Sequence, residues 1–352
     1  MTKDKYPMDI KLKIKKIAFL PTSTYHTTRY DQKTVFIAGS DWDRKKIQKP
    51  KKDGFAKGVL FRVNDDGITT FPMNTDMLYI VEVVSQNILF LGAKTEKNTF
   101  QLFSVKDETV IKQKSDLQGG GCYGTLYVHN QKELLMNTRN GYLKNVDIET
   151  LKTKESVKIT PKNERLWQIH YVEEQDIIYT SDYLGNLYKI QKQGFKIIKK
   201  VSLFDIYKHN DNHGNPPSLW GLSYHNGIII GGDRFGGITV WDNDLNLISH
   251  KRLKKDMSII KNPNLQFPSS EMESIMSVKM INDKYFLIGS RWGNVFLLNL
   301  VGGIKKIIDV PMGIQKENSA FTMDKVITPS GIEIFITFGD GQIYSVLYQK
   351  ED

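Results

Sequence analysis

The sequence predicts an all-β fold: one seven-bladed β-propeller of four-stranded antiparallel blades, spanning residues 1–352 as a single domain, with the ring closed by an N-terminal strand that completes the last blade. Three observations predict it. A strand–turn–strand pattern recurs along the whole chain at a repeat-protein period. Each copy is flanked by two more strand-like runs, which makes four strands per unit. The last copy lacks its fourth strand, while an unassigned strand-like run precedes the first.

The hairpins are clearest at Ile177–Ile190 (IIYTSDYLGNLYKI), Gly227–Asp242 (GIIIGGDRFGGITVWD), Tyr285–Leu298 (YFLIGSRWGNVFLL) and Ile334–Leu347 (IFITFGDGQIYSVL). Weaker copies lie at Thr34–Val63, Asn87–Phe103 and Glu133–Val146. β-Branched and aromatic runs broken by Gly and Asx turns are hairpin signals. The residues opening the second run of each copy are Gly58, Asn98, Gly141, Gly185, Gly237, Gly293 and Gly341, at spacings of 40, 43, 44, 52, 56 and 48. A first strand precedes each hairpin, as in Ile80–Val83, Ile169–Val172, Leu222–Tyr224 and Val278–Met280. A more charged fourth strand follows, as in Phe195–Val201, Ile248–Leu253 and Ile304–Val310; charge suits an outer edge. The run Asp9–Lys16 (DIKLKIKK), within a closing segment of residues 8–17, alternates apolar residues with Lys and supplies the strand missing from the last unit.

Composition narrows the classes. Hydrophobic residues are 40% and charged residues 25% of the 352, enough for a large core and against global disorder. The net charge of +10 is uneven: residues 1–57 hold 15 basic and 6 acidic side chains, and the rest is nearly neutral. The single Cys122 excludes an internal disulfide and a multi-cysteine zinc site. No apolar stretch approaches the ~20 residues of a membrane helix, and no apolar segment follows the basic N-terminus as in a signal peptide. A cytoplasmic location is expected.

The third blade strand Gly237-Ile238-Thr239-Val240 ends in Trp241-Asp242, and Asp182, Asp233 and Asp340 stand in hairpin turns, with Arg139 and Arg291 at the same place elsewhere. On these residues the chain resembles WD40-like seven-bladed propellers over most of its length, at the level of architecture. The resemblance implies first strands around a central channel and hairpin turns opening on one mouth of it.

Candidate contact residues follow from the repeat. One first-strand position reads Tyr79, Tyr123, Trp167, Trp220, Met276 and Phe321, at spacings of 44, 44, 53, 56 and 45. Large flat side chains at one repeat position can line the channel mouth as partner-binding anchors, or wedge between blades as core. The indole N–H groups of Trp167 and Trp220 want acceptors. Nearby Asp76, Glu164, Arg165, Ser218, Glu271, Glu273, Glu317 and Asn318 join Arg139, Asp182, Asp233, Arg234 and Arg291 from the hairpin turns in a rim of mixed charge.

Two loops stand apart. The first-blade insertion, residues 41–57, carries Arg44, Lys45, Lys46, Lys49, Lys51, Lys52 and Lys57, suited to an acidic protein, an anionic membrane surface or nucleic-acid phosphates. In Lys208–Pro217, His209, Asp211 and His213 alternate along the chain and can offer two imidazoles and a carboxylate to a metal or to acid–base catalysis, although such residues also form ordinary turns. No phosphate-binding loop or nucleophile elbow is present, and no cofactor is predicted. The leading expectation is a non-enzymatic scaffold binding a protein or peptide at the channel mouth. The alternatives are an enzyme at that mouth (a hydrolase, lyase or peptide-modifying enzyme, with or without a metal) and a nucleic-acid-associated propeller acting through the basic loop.

Overall fold

The computed structural model describes residues 10–20, 22–41, 56–94, 99–208, 214–261, 271–310 and 320–349. Seven antiparallel sheets follow one another along the chain, six of four strands and one of five. The first comprises Thr24–Arg29, Val35–Ser40, Lys57–Asn64 and Gly67–Asp76, and the second Leu78–Ser85, Ile88–Ala93, Phe100–Ser104 and Thr109–Lys114. The third comprises Cys122–Val128, Glu133–Thr138, Tyr142–Asp147 and Thr153–Lys158, and the fourth Leu166–Val172, Ile177–Asp182, Asn186–Gln191 and Lys196–Ser202. The fifth has Leu219–His225, Ile228–Asp233, Gly237–Asp242 and Leu247–Leu253, extended by Ile259–Ile260. The sixth has Ile275–Met280, Tyr285–Ser290, Asn294–Asn299 and Ile304–Asp309. The seventh has Ala320–Thr328, Gly331–Phe338 and Gln342–Gln349, and takes its fourth strand, Leu12–Phe19, from the N-terminal end. These are the blades of an all-β seven-bladed propeller.

The closing strand pairs antiparallel with Gln342–Gln349, from Leu12 opposite Tyr348 to Phe19 opposite Gln342, with an irregularity between Lys16 and Ala18. It lies three residues further along the chain than the alternation of Asp9–Lys16 predicted. Ile10 and Leu12 reach the core of Val346 and Ile334, while Lys13, Lys15 and Lys16 stay exposed and leave a charged outer edge.

By packing, the chain divides into two compact units, residues 20–200 and residues 1–19 with 201–352. The first holds blades one to four and the second holds blades five to seven. Within each unit the core clusters lie between consecutive blades. Phe36, Leu60, Leu89 and Phe103 join blades one and two, and Leu135, Leu143, Ile178 and Tyr188 join blades three and four. In the other unit Ile230, Val240, Ile288 and Phe296 join blades five and six, and Leu287, Leu297, Ile334 and Ile336 join blades six and seven. Middle strands are covered on both faces, so they read as continuous apolar runs, whereas fourth strands such as Thr109–Lys114 are largely exposed.

Turn chemistry sets the hairpins. Gly141 has φ 78°, and a Cβ there would fall 1.8 Å from the Thr160 hydroxyl, so only glycine fits. In blade five the left-handed residue is Gly236, and Gly237, which the repeat alignment singled out as opening the second run, opens the strand that follows.

Candidate functional site

A backbone bond recurs blade after blade and places the site. The residue after each second strand donates its N–H to a carbonyl just before the first strand: Lys94 to Met77, Arg139 to Gly121, Tyr183 to Arg165, Arg234 to Ser218 and Arg291 to Ser274. Hairpin corner and first-strand entry are thereby held together in blades two to six. Four of these five corner residues are cationic.

In the unit of residues 20–200 the first-strand aromatics touch in sequence. Tyr25 stacks on Tyr79 at 4.5 Å between ring centroids, Tyr79 meets Tyr123 at 5.3 Å, and Tyr123 meets the edge of Trp167 at 5.2 Å. Contacts at these separations stabilise beyond area burial. Cations cover the row. Lys94 Nζ lies 5.1 Å from the Tyr79 ring, and the Arg165 guanidinium lies 5.7 Å from Tyr123 and 5.6 Å from Tyr183. Tyr123 is buried, Tyr79, Trp167 and Arg165 are half-buried, and Arg139 is exposed.

In the other unit the same pairing occurs once more, with the Arg234 guanidinium 6.0 Å from the Trp220 ring. Trp220 is buried, while Arg234, Arg291 and Met276 are half-buried. Among the described residues the Trp167 and Trp220 indole N–H groups and the Tyr123 hydroxyl find no hydrogen-bond partner.

Four residues expected on the rim, Asp182, Ser218, Asp233 and Glu273, lie inside the protein instead. Asp182 accepts from the N–H groups of Leu184 and Asn186, from the Asn186 amide and from the Tyr188 hydroxyl, at 2.7–2.9 Å. Asp233 accepts from the Phe235 and Gly237 N–H groups and from the Tyr207 hydroxyl, at 2.7–2.9 Å. Both side chains are fully buried. A carboxylate short enough to reach its own turn's donors is drawn inward by them. Burial pushes the Asp233 carboxyl up to about 6, against the pull of its three donors and of nearby Arg252. Gly237 is required here because a Cβ would stand 2.1 Å from both the Asp233 carboxylate and the Tyr207 hydroxyl. With these acids turned in, the corners present Lys94, Arg139, Arg234 and Arg291, while Asp76, Glu164 and Glu271 stay partly or fully exposed.

Lys57 is exposed at the start of its strand, where its N–H bonds the Asp41 carboxylate. Arg44, Lys45, Lys46, Lys49, Lys51 and Lys52, the His209, Asp211 and His213 set, and the Phe321 side chain lie outside the described residues. Among the described residues no three His, Cys, Asp or Glu gather as a metal site. Cys122 is buried against Gly92, and burial pushes its thiol well above the usual range. No described helix is long and apolar enough to cross a membrane.

Lys94, Tyr183 and Tyr25 were missed from sequence. The offset that places Arg139 and Arg291 just after a second strand would have found Lys94 and Tyr183. Tyr25 was missed because the repeat position was read only from the second blade onward. No family model matches the chain, and no curated protein matches it.

Proposed function

We propose that this propeller is a non-enzymatic scaffold that binds an acidic peptide or protein segment on the face carrying its hairpin corners. One observation carries the reading: cations stand over first-strand aromatic rings in both units, at Lys94–Tyr79, Arg165–Tyr123 and Arg234–Trp220, while Asp182 and Asp233 face inward. Aromatic and Arg side chains are the residues that dominate protein interfaces, and a cationic face speeds encounter with an acidic partner. The unpartnered N–H groups of Trp167 and Trp220 and the Tyr123 hydroxyl would be satisfied by acceptors such as carboxylates or peptide carbonyls. The same reading includes Tyr79 and Arg139 in the unit of residues 20–200 and Arg291 in the other, with Phe321 assigned from its repeat position in the sequence. The basic insertion Arg44–Lys57 would steer the acidic partner.

The test uses the purified full chain and two fluorescent peptides of equal length and aromatic content, one acidic and one basic. Saturable binding of the acidic peptide alone is expected, weakening with salt and reduced about tenfold or more by Arg165→Ala with Arg234→Ala. Arg62→Ala, in the third strand of blade one and paired with Glu108, should leave it unchanged. Equal binding of both peptides, or full retention by the double variant, refutes the reading.

A further inference from the structure

A second site lies in the unit of residues 1–19 and 201–352, where blades five and six meet. A cavity of about 250 Å³ is walled by Glu273, Asn294 and Trp292, with Lys255, Lys306 and Asp309 at its mouth. At roughly 30 Å³ for each water-sized group, it has room for about eight heavy atoms or more.

Glu273 forms the wall and is 1% exposed. Its Oε1 accepts from the Asn294 amide at 2.8 Å and the Ser290 hydroxyl also acts on the carboxylate, but its buried Oε2 has no partner within bonding distance among the described residues. A native fold rarely leaves a carboxylate oxygen in that state, because a buried acceptor loses its hydration without a bond to replace it. The frame around it is firmly held. The Trp292 indole N–H donates to the Met272 carbonyl at 3.3 Å, and the Trp292 and Asn294 backbone N–H groups both donate to the Ser290 hydroxyl. Glu273 is therefore positioned by its neighbours with one oxygen left over.

The mouth carries the opposite charge. Lys255 Nζ lies 3.9 Å from the centre of the Trp292 ring and, among the described residues, has no carboxylate partner. Lys306 Nζ pairs with the exposed Asp309 at 3.0 Å. Both lysines act electrostatically on Glu273 without bonding it.

A ligand that fits must bring a donor to Glu273 Oε2 and acceptors to the lysines. A simple anion leaves Oε2 unmet beside a negative charge. A simple cation meets two ammonium groups on entry. We propose that this cavity binds a small zwitterion of free-amino-acid size, its ammonium on Glu273 Oε2, its carboxylate on Lys255 and Lys306, and its side chain along the Trp292 indole. Charge-assisted bonds at both ends make recognition depend on both termini of the ligand. Burial raises the affinity of Glu273 for a proton, so ammonium binding releases one where Glu273 is still protonated. The site shares no residue with the aromatic face and stands whether or not that face binds peptides.

The test is calorimetric titration of the purified full chain with each common L-amino acid in turn, then with the N-acetyl and amide derivatives of any that binds. Saturable binding at one site is expected, weakened about tenfold or more when either terminus is blocked. Glu273→Gln should weaken it equally, since Gln keeps the acceptor used by Asn294 but offers no charge to the ammonium. Lys255→Met, an exposed change that preserves the apolar stem over Trp292, guards against loss through misfolding and should also weaken it. No binding by any free amino acid at millimolar concentration overturns the proposal. So does binding that tolerates a blocked terminus, or binding unchanged in Lys255→Met.

Discussion

Asp233 offers a quantitative test of how the hairpins are held. Its carboxyl is fully buried, with burial as the main influence, and is pushed from 3.8 up to about 6. A carboxyl that binds protons more tightly in the folded state stabilises the fold fully below its unfolded value. That contribution disappears as pH rises through its folded value. At ~1.36 kcal/mol for each pH unit over which the two states differ by one proton, the loss from pH 3.8 to about 6 amounts to ~3 kcal/mol. Asp233→Asn keeps an acceptor for the Phe235 and Gly237 N–H groups but cannot titrate. The assay is urea unfolding of wild type and variant at intervals from pH 4 to pH 8. The stability of wild type minus that of the variant should fall by about 3 kcal/mol as pH rises through 6 and then level off. Taking the difference removes the other titrating groups, including nearby His250, whose effect has the opposite sign. A difference that stays flat, or rises, with pH would falsify the claim that burial outweighs the three donors.

Three further outcomes are expected. His250 is pushed from 6.5 down to about 4 by burial and then by Arg252, so the stability it contributes is present above pH 6.5 and lost as pH falls through 4; His250→Asn should be less acid-sensitive by ~3 kcal/mol over that window, read from the same unfolding series. Lys144 and Asp116 form a 2.7 Å ion pair with side chains only 2% and 7% exposed; Lys144→Met strands a buried charge and should cost ~3–5 kcal/mol in denaturant unfolding, a loss that Asp116→Asn in the same chain should partly reverse. Removing residues 1–19 uncovers the Gln342–Gln349 edge and the apolar residues beneath it, and should lower Tm by about 10 °C or more with concentration-dependent association in sedimentation; an unchanged melting curve would show that the closing strand adds little.

Much of the fold is legible in sequence because its signals are local. Ile177–Asp182 and Tyr285–Ser290 each combine a β-branched or aromatic run with a Gly or Asx turn, which specifies a hairpin wherever it sits. Seven such hairpins at one period specify the blade count. The unpaired run near the N-terminus, set against a last unit one strand short, specifies the pairing of Leu12–Phe19 with Gln342–Gln349. Registers were less legible, as the three-residue offset of that strand shows, since alternating Lys and apolar residues continue on either side of it.

The candidate site was half legible. The periodic aromatic position and the corner arginines at Arg139, Arg234 and Arg291 could be placed by offset alone. The direction of the turn carboxylates could not. Asp233 and Arg234 are neighbours at one corner, yet the Asp folds back onto donors of its own turn while the Arg234 guanidinium turns to the Trp220 ring. Reach and partner geometry decide that, and neither is written in residue order.

By itself, then, the sequence determined the number of blades, the strand order within them and the origin of the last blade's fourth strand, because alternation and turn chemistry act over a few residues. Only the tertiary structure decided that Asp182 and Asp233 turn inward, and that Lys255, Glu273, Trp292 and Lys306 line one cavity. Those residues come from separate strands and turns of two blades. Only the packing of blade five against blade six, driven by apolar residues that carry no record of the site, brings them within reach of one another.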